Sequence, residues 1–420
     1  MSKKDIIVGI DIGSSSIRTV IANRLTKDEK PRVIGVGVTP SFGVRRGVIV
    51  DLEEVSRALS ESIEIAERIA GVQISHATLG VGGSHISSQY TKGVIAVGRA
   101  DGEVTPDDIM RVIGAAQAIS VPPNKEIIHI VPRGYSLDDQ KNIKDPLGMN
   151  GVRLEVEAAI IEGPTQHMRN LAKCADQTGI GVDNFVLSPL AAAKSVLSKR
   201  QKELGVVLAD IGGGSTSVTV FEENDLLHVT IIPVGGNHIT NDIAIGLRTS
   251  IDVAEKVKLE FGNANPEEIS KKENIDLSQL DSAEEGIVSR HHVAEIIQAR
   301  LEEIFNLINK ELRAIGRDRL LPAGIVITGG TSKLPGCVDL AKDMLGLPAQ
   351  TGFPLPLGGL VDKVDDPSFA TAVGLVLWAL ENEEMPLKRE NSGLNARNML
   401  PGNMDETVNN IRKWFGKFLP

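Results

Sequence analysis

Gly205-Val206-Val207-Leu208-Ala209-Asp210-Ile211-Gly212-Gly213-Gly214-Ser215-Thr216-Ser217-Val218-Thr219-Val220-Phe221 is the stretch that decides how this chain is read. An apolar run ends in an aspartate, a glycine turn follows, and an alternating strand leaves it. That order predicts a β-hairpin with a wide turn. Glycine removes side chains, so backbone N–H groups can close on an anion, and Ser215 and Thr216 add hydroxyl donors. The Asp210 carboxylate, at the strand's end, can hold a hydrated Mg²⁺ beside phosphates. On its own a glycine-rich hairpin is more often only a turn.

The device recurs. Ile7-Val8-Gly9-Ile10-Asp11-Ile12-Gly13-Ser14-Ser15-Ser16 is again an apolar strand, an aspartate and a small-residue turn. Asp11 and Asp210 lie about 200 residues apart, the length scale of a domain. Two such units suggest related halves facing one nucleotide. A third element, Ile325-Val326-Ile327-Thr328-Gly329-Gly330-Thr331-Ser332, feeds a strand into a glycine turn and then a helix, which suits backbone approach to a nucleoside. Gly235-Gly236-Asn237 precedes another helix and could approach phosphate or ribose. Glu255 and Lys258 lie three apart on one helical face. They suit a base or ribose, or equally a surface ion pair.

In this order the motifs resemble the actin-like ATPase superfamily, and within it the FtsA family of bacterial cell-division proteins. The likeness covers about residues 5–381 and the C-terminal tail. It implies an α/β fold of two duplicated, ribonuclease H-like lobes around a nucleotide cleft, with an inserted α+β subdomain. ATP and Mg²⁺ are the implied cofactors. The phosphate motifs correspond to Asp11, Gly13, Ser14 and Ser15, and to Asp210, Gly212, Gly213, Gly214, Ser215 and Thr216; the adenosine motif corresponds to Gly329, Gly330 and Thr331. Asp11 and Asp210 would organise the metal. The resemblance also sets expected domains. Residues 1–83 with 163–200 form the first lobe core (1A), and 84–162 the insertion (1C), used in self-association. Residues 201–226 with 307–381 form the second core (2A). Residues 227–306 form subdomain 2B, for the nucleotide base and the FtsZ C-terminal peptide. There Arg290 and Arg300 could pair with a peptide carboxylate, or be ordinary surface arginines. Family members stack head to tail, so a filament is expected. Related ATPases place a Glu or Gln before the first connecting helix to position water. Here Ser188 stands there, so at most slow hydrolysis is expected.

Composition bounds the rest. The chain has 420 residues, enough for more than one domain. A net charge of −10 and 3% aromatics argue against nucleic acid as a partner. Cys174 and Cys337 show no metal spacing and read as reduced, small apolar residues. The opening MSKKDIIVGID has no apolar leader, and no run is long enough to span a bilayer. His129 and Asp138-Asp139 read as a packed histidine and a solvated turn. The acidic, polar stretch 263–288 is expected to be mobile and partly exposed.

Residues 382–404 lack periodicity and read as a flexible linker. In the tail, 405–420, Val408, Ile411, Trp414, Phe415, Phe418 and Leu419 recur at three and four, with Arg412, Lys413 and Lys417 on or beside the other face. This is the pattern of an interfacial helix on an anionic membrane, the alternative being a helix docked on the protein's own core. The expected function is an ATP-binding, polymerising protein on the cytoplasmic face of the membrane at midcell, recruiting FtsZ. A sugar or metabolite kinase of the same fold is the alternative. It would need a general base, for which no candidate stands out. A chaperone-type ATPase would need a further peptide-binding domain.

Overall fold

β1 (Ile6–Ile12) and β2 (Ser16–Asn23) form the first hairpin, with Asp11 directly across from Arg18, and Gly13 N–H donates to the Ser16 carbonyl across the turn at 3.1 Å. The structure, a computed structural model, describes residues 6–24, 30–118 and 122–383. Those residues fall into two units, one from 6–87 with 164–376 and one from 88–163 with 377–383.

In the larger unit β2 pairs antiparallel with β3 (Arg32–Pro40), while β1 pairs parallel with β4 (His76–Val81) and β4 with β5 (Gly181–Leu187). The order is therefore β3-β2-β1-β4-β5. Helix α1 (Leu52–Ala70) starts where Asp51 accepts from the Glu53 and Glu54 N–H groups. It buries Val55, Leu59, Ile63 and Ala66 against this sheet, the stripe its spacing predicts. Helix α2 (Ser188–Val196) leads to the second half.

There β6 (Val206–Ile211) and β7 (Thr216–Glu222) form the second hairpin, β8 (Asp225–Ile232) pairs antiparallel with β7, and β9 (Ile325–Thr328) and β10 (Ala349–Thr351) extend the sheet in parallel from β6. The order β8-β7-β6-β9-β10 repeats that of the first sheet strand for strand. Helices α3 (Gly236–Leu247), α4 (Ile251–Phe261) and α5 (Arg290–Ala314) cover it, with Ile239, Val253, Ile297, Ile304 and Phe305 in one core.

The chain then crosses back twice. Gly358–Gly359 adds a short parallel strand beside β3, and α6 (Ala370–Glu383) returns to the first lobe. Gly374 is where α6 meets α2. A Cβ there would lie 1.8 Å from the Ala191 carbonyl oxygen, so only glycine permits the crossing.

Stretch 263–288 is partly exposed, as expected, and it also carries structure that its composition did not announce. It holds two short paired strands, Asn274–Asp276 and Ile287–Ser289, and buries Ile275 and Leu277 in the second lobe's core.

The smaller unit has a four-stranded sheet, ordered Ser87–Ala96, Arg153–Pro164, Lys125–Leu137, Gln140–Ile143, under the helix Pro106–Gln117. Thr105 and Asp108 close a capping box at that helix's start. His129 packs by Trp378, ring centroids 5.3 Å apart, and the Asp138 carboxylate accepts from the Val152 and Arg153 N–H groups, as a packed ring and a turn residue do. No helix among the described residues is long and apolar enough to cross a membrane. The expected linker, beyond Glu383, and the tail lie outside the described residues.

Candidate functional site: a cleft between duplicated hairpins

The two hairpin turns, the turn after β9 and the start of α3 open on one cavity of 390 Å³. Its lining includes Asp11, Gly13, Ser14, Ser15, Asp210, Gly212, Gly213, Gly214, Ser215, Gly236, Asn237, Glu255, Lys258, Gly329, Gly330 and Thr331, which the chain had suggested from five separate stretches. Two suggested residues stand apart from it. Thr216 is fully buried, and its hydroxyl donates to the Val234 carbonyl at 2.8 Å, so it holds the hairpin rather than an anion. Gly235 packs behind the second turn, where a Cβ would sit 2.5 Å from the Gly212 carbonyl oxygen.

The turns touch one another. Ser15 Oγ donates to Asn237 Oδ1 at 2.9 Å, and Gly47 N–H donates to Ser14 Oγ at 3.0 Å. A Cβ on Gly213 would fall 1.9 Å from Ser15 Oγ. By contrast nothing lies within 4 Å of a Cβ on Gly330, which would project into open space. Gly329 has φ 85°, and any side chain would meet an Asp210 oxygen at 2.4 Å.

Asp11 and Asp210 occupy equivalent positions, each the penultimate residue of its first strand. Lost hydration raises each carboxyl to about 6, with Asp11's charge adding to the rise at Asp210; Arg18 pulls both back, and the Thr371 hydroxyl, 3.3 Å from Asp210, assists there. Two hard oxygen donors, with no group of three or more ligating side chains among the described residues, fit an ion that keeps most of its water. On the far side Lys258 Nζ donates to Glu255 at 2.6 Å and to Thr240 Oγ1 at 2.8 Å, and Thr240 also bonds Glu255. The pair is thus a half-buried polar cluster facing the cavity rather than a free surface ion pair.

Several lining residues escaped the sequence reading: Arg18, Gly47, Gly82, Gly83, Lys333 and Thr371. Arg18 could have been found by counting across the first hairpin from Asp11. The glycines arrive from distant loops and carry no local signal. Ser188 lines the cavity too, its Oγ 2.9 Å from where a Cβ on Gly80 would stand. Arg290 and Arg300 lie elsewhere and are already engaged. Arg290 bonds Glu273 at 2.8 Å and the Phe261 carbonyl, while Arg300 forks onto Asp242 at 2.6 and 2.9 Å and also meets Glu303.

A family model described as "Cell division protein FtsA" matches residues 207–374, and one described as "SHS2 domain inserted in FTSA" matches residues 83–162. The chain is 38% identical to the cell division protein FtsA of Pseudomonas aeruginosa over 387 residues, 92% of each protein. It belongs to the FtsA family. Among solved structures, a PilM-PilN type IV pilus biogenesis complex superposes at a TM-score of 0.65 with 17% identity, over 89% of this chain and 98% of that one. MreB5 of Spiroplasma citri bound to ADP gives 0.52 with 13% identity, over 91% and 99%. These likenesses establish the actin-like ATPase fold. In this FtsA-family chain the SHS2 match falls on the inserted four-stranded sheet, and the larger match begins in β6.

Proposed function

We propose that this FtsA-family protein binds ATP with Mg²⁺ in the cleft, polymerises on the cytoplasmic face of the membrane, and anchors the FtsZ ring there through its tail. One observation carries the reading: two glycine turns from duplicated hairpins converge on one cavity, each with an aspartate at its strand end. Backbone N–H groups there suit phosphate oxygens. Asp11 and Asp210 would hold Mg²⁺ through water, and Glu255 with Lys258 would meet the ribose or base. The bound ion would neutralise charge on the phosphates. Ser188 is short and a poor base, so ATP would serve mainly as a structural ligand. Family membership sets the metabolite-kinase alternative aside.

The FtsZ peptide would dock on 227–306, and Arg300 would receive it only by sharing or releasing Asp242. Self-association would run through 84–162 among other surfaces, and the segment 405–420 would lie in the membrane interface. Gly330→Val tests the nucleotide site most cleanly, because its side chain enters empty cavity. Fluorescent-ATP titration should show affinity lost by roughly a hundredfold or more, the scale of a few kcal/mol of steric conflict. The melting temperature should stay at the parent's. Parental ATP affinity in that variant would reject the assignment.

A further inference from the structure

The two hairpins are duplicates, and at one position they differ in charge. Across from Asp11 stands Arg18; across from Asp210, in the matching register, stands Ser217. All four residues line the cavity. One guanidinium therefore faces two carboxylates. It is held by its surroundings rather than by a fork onto either acid. Its central carbon lies 5.4 Å from the centroid of the Phe369 ring, its Nε is buried with no hydrogen-bond partner, and it feels Asp11, Asp366 and Asp210 through space. An arginine here is a permanent charge with unused donors.

We infer that Arg18 is the resident counter-cation of the Asp11–Asp210 pair, and that it makes divalent-metal binding conditional on a phosphate-bearing ligand. The inference rests on the nucleotide reading of the cleft. A bare divalent ion entering between the aspartates meets a fixed positive charge beside them. One net negative charge is left to hold it. Phosphate oxygens reverse the balance. They supply anionic ligands to the metal and accept from the free guanidinium donors, a geometry arginine favours. Metal and nucleotide then enter together, and metal alone is refused.

The test is Mn²⁺ binding to the full-length protein by equilibrium dialysis, read as metal retained on the protein side over that in the protein-free compartment at the same free Mn²⁺, with and without ADP. Fluorescent-ADP titration runs in parallel. The parent should bind Mn²⁺ at least about tenfold more weakly without ADP than with it. Arg18→Gln should bind Mn²⁺ alone about tenfold more tightly than the parent and ADP more weakly, while Arg18→Lys should stay near the parent on both. Equal Mn²⁺ affinity of the parent with and without ADP overturns the inference even if Arg18→Gln does not fold. So does a folded Arg18→Gln with parental Mn²⁺ binding. A parent that binds Mn²⁺ but no nucleotide overturns the site reading as well.

Discussion

At neutral pH Asp11 and Asp210 carry charge where the cleft's walls disfavour it, each pushed up to about 6 by lost hydration. An acid raised in the folded state binds its proton more readily there than in the unfolded chain. The folded state is therefore weakened as pH climbs from about 4 to 6, and the deficit persists at pH 7. Asp210→Asn should raise the stability of the ligand-free protein at pH 7 by on the order of 2 kcal/mol, with the advantage gone near pH 4. Calorimetric melting at the two values checks this, and a variant no more stable than the parent at pH 7 would contradict it. These aspartates and the glycines beside them were legible because an anion-binding turn is local, built from consecutive residues. Arg18 and Lys333 were not, since their place in the cavity follows from strand register and a neighbouring loop. Thr216 misled for a related reason. Its hydroxyl lies next to the turn in sequence but on the strand face that bonds Val234.

Elements were legible where an apolar period was long. Helix α1 and strands β4 and β6 follow directly from their spacing. The short strands Asn274–Asp276 and Ile287–Ser289 did not, because three-residue strands offer no period to count. Their pairing fixes the loop that leads into α5, the helix bearing Arg290 and Arg300. Arg300 crosses from α5 to Asp242 on α3 and ties the two helices together. If a peptide carboxylate competes for that guanidinium, Asp242→Asn should strengthen capture of the FtsZ C-terminal peptide several-fold, since the new amide releases a charge-assisted fork. Fluorescence anisotropy with the labelled peptide reads this directly. Unchanged or weaker binding would remove Arg300 from the docking surface.

If the segment 405–420 is a membrane tether, its strength belongs to the whole assembly, because a single short amphipathic helix binds weakly and an array of them binds by avidity. Trp414→Glu should release the protein from anionic vesicles in co-sedimentation while leaving ATP affinity as it was. Continued pelleting at the parental level would refute the tether. The two-lobed plan itself was readable from a repeat of two hairpins, but the route of the chain between the lobes was not. Gly358–Gly359 pairs with Arg32 and Val33, and α6 seats Gly374 on Ala191, so the second half of the sequence completes the first half's structure. A backbone nick near Ser198, between α2 and the helix Lys199–Leu204, would thus yield fragments that are divided in covalent terms and shared in folding terms. Co-expressed, they should recover each other as a complementing split pair; alone, the first would lack both an edge and a buttress.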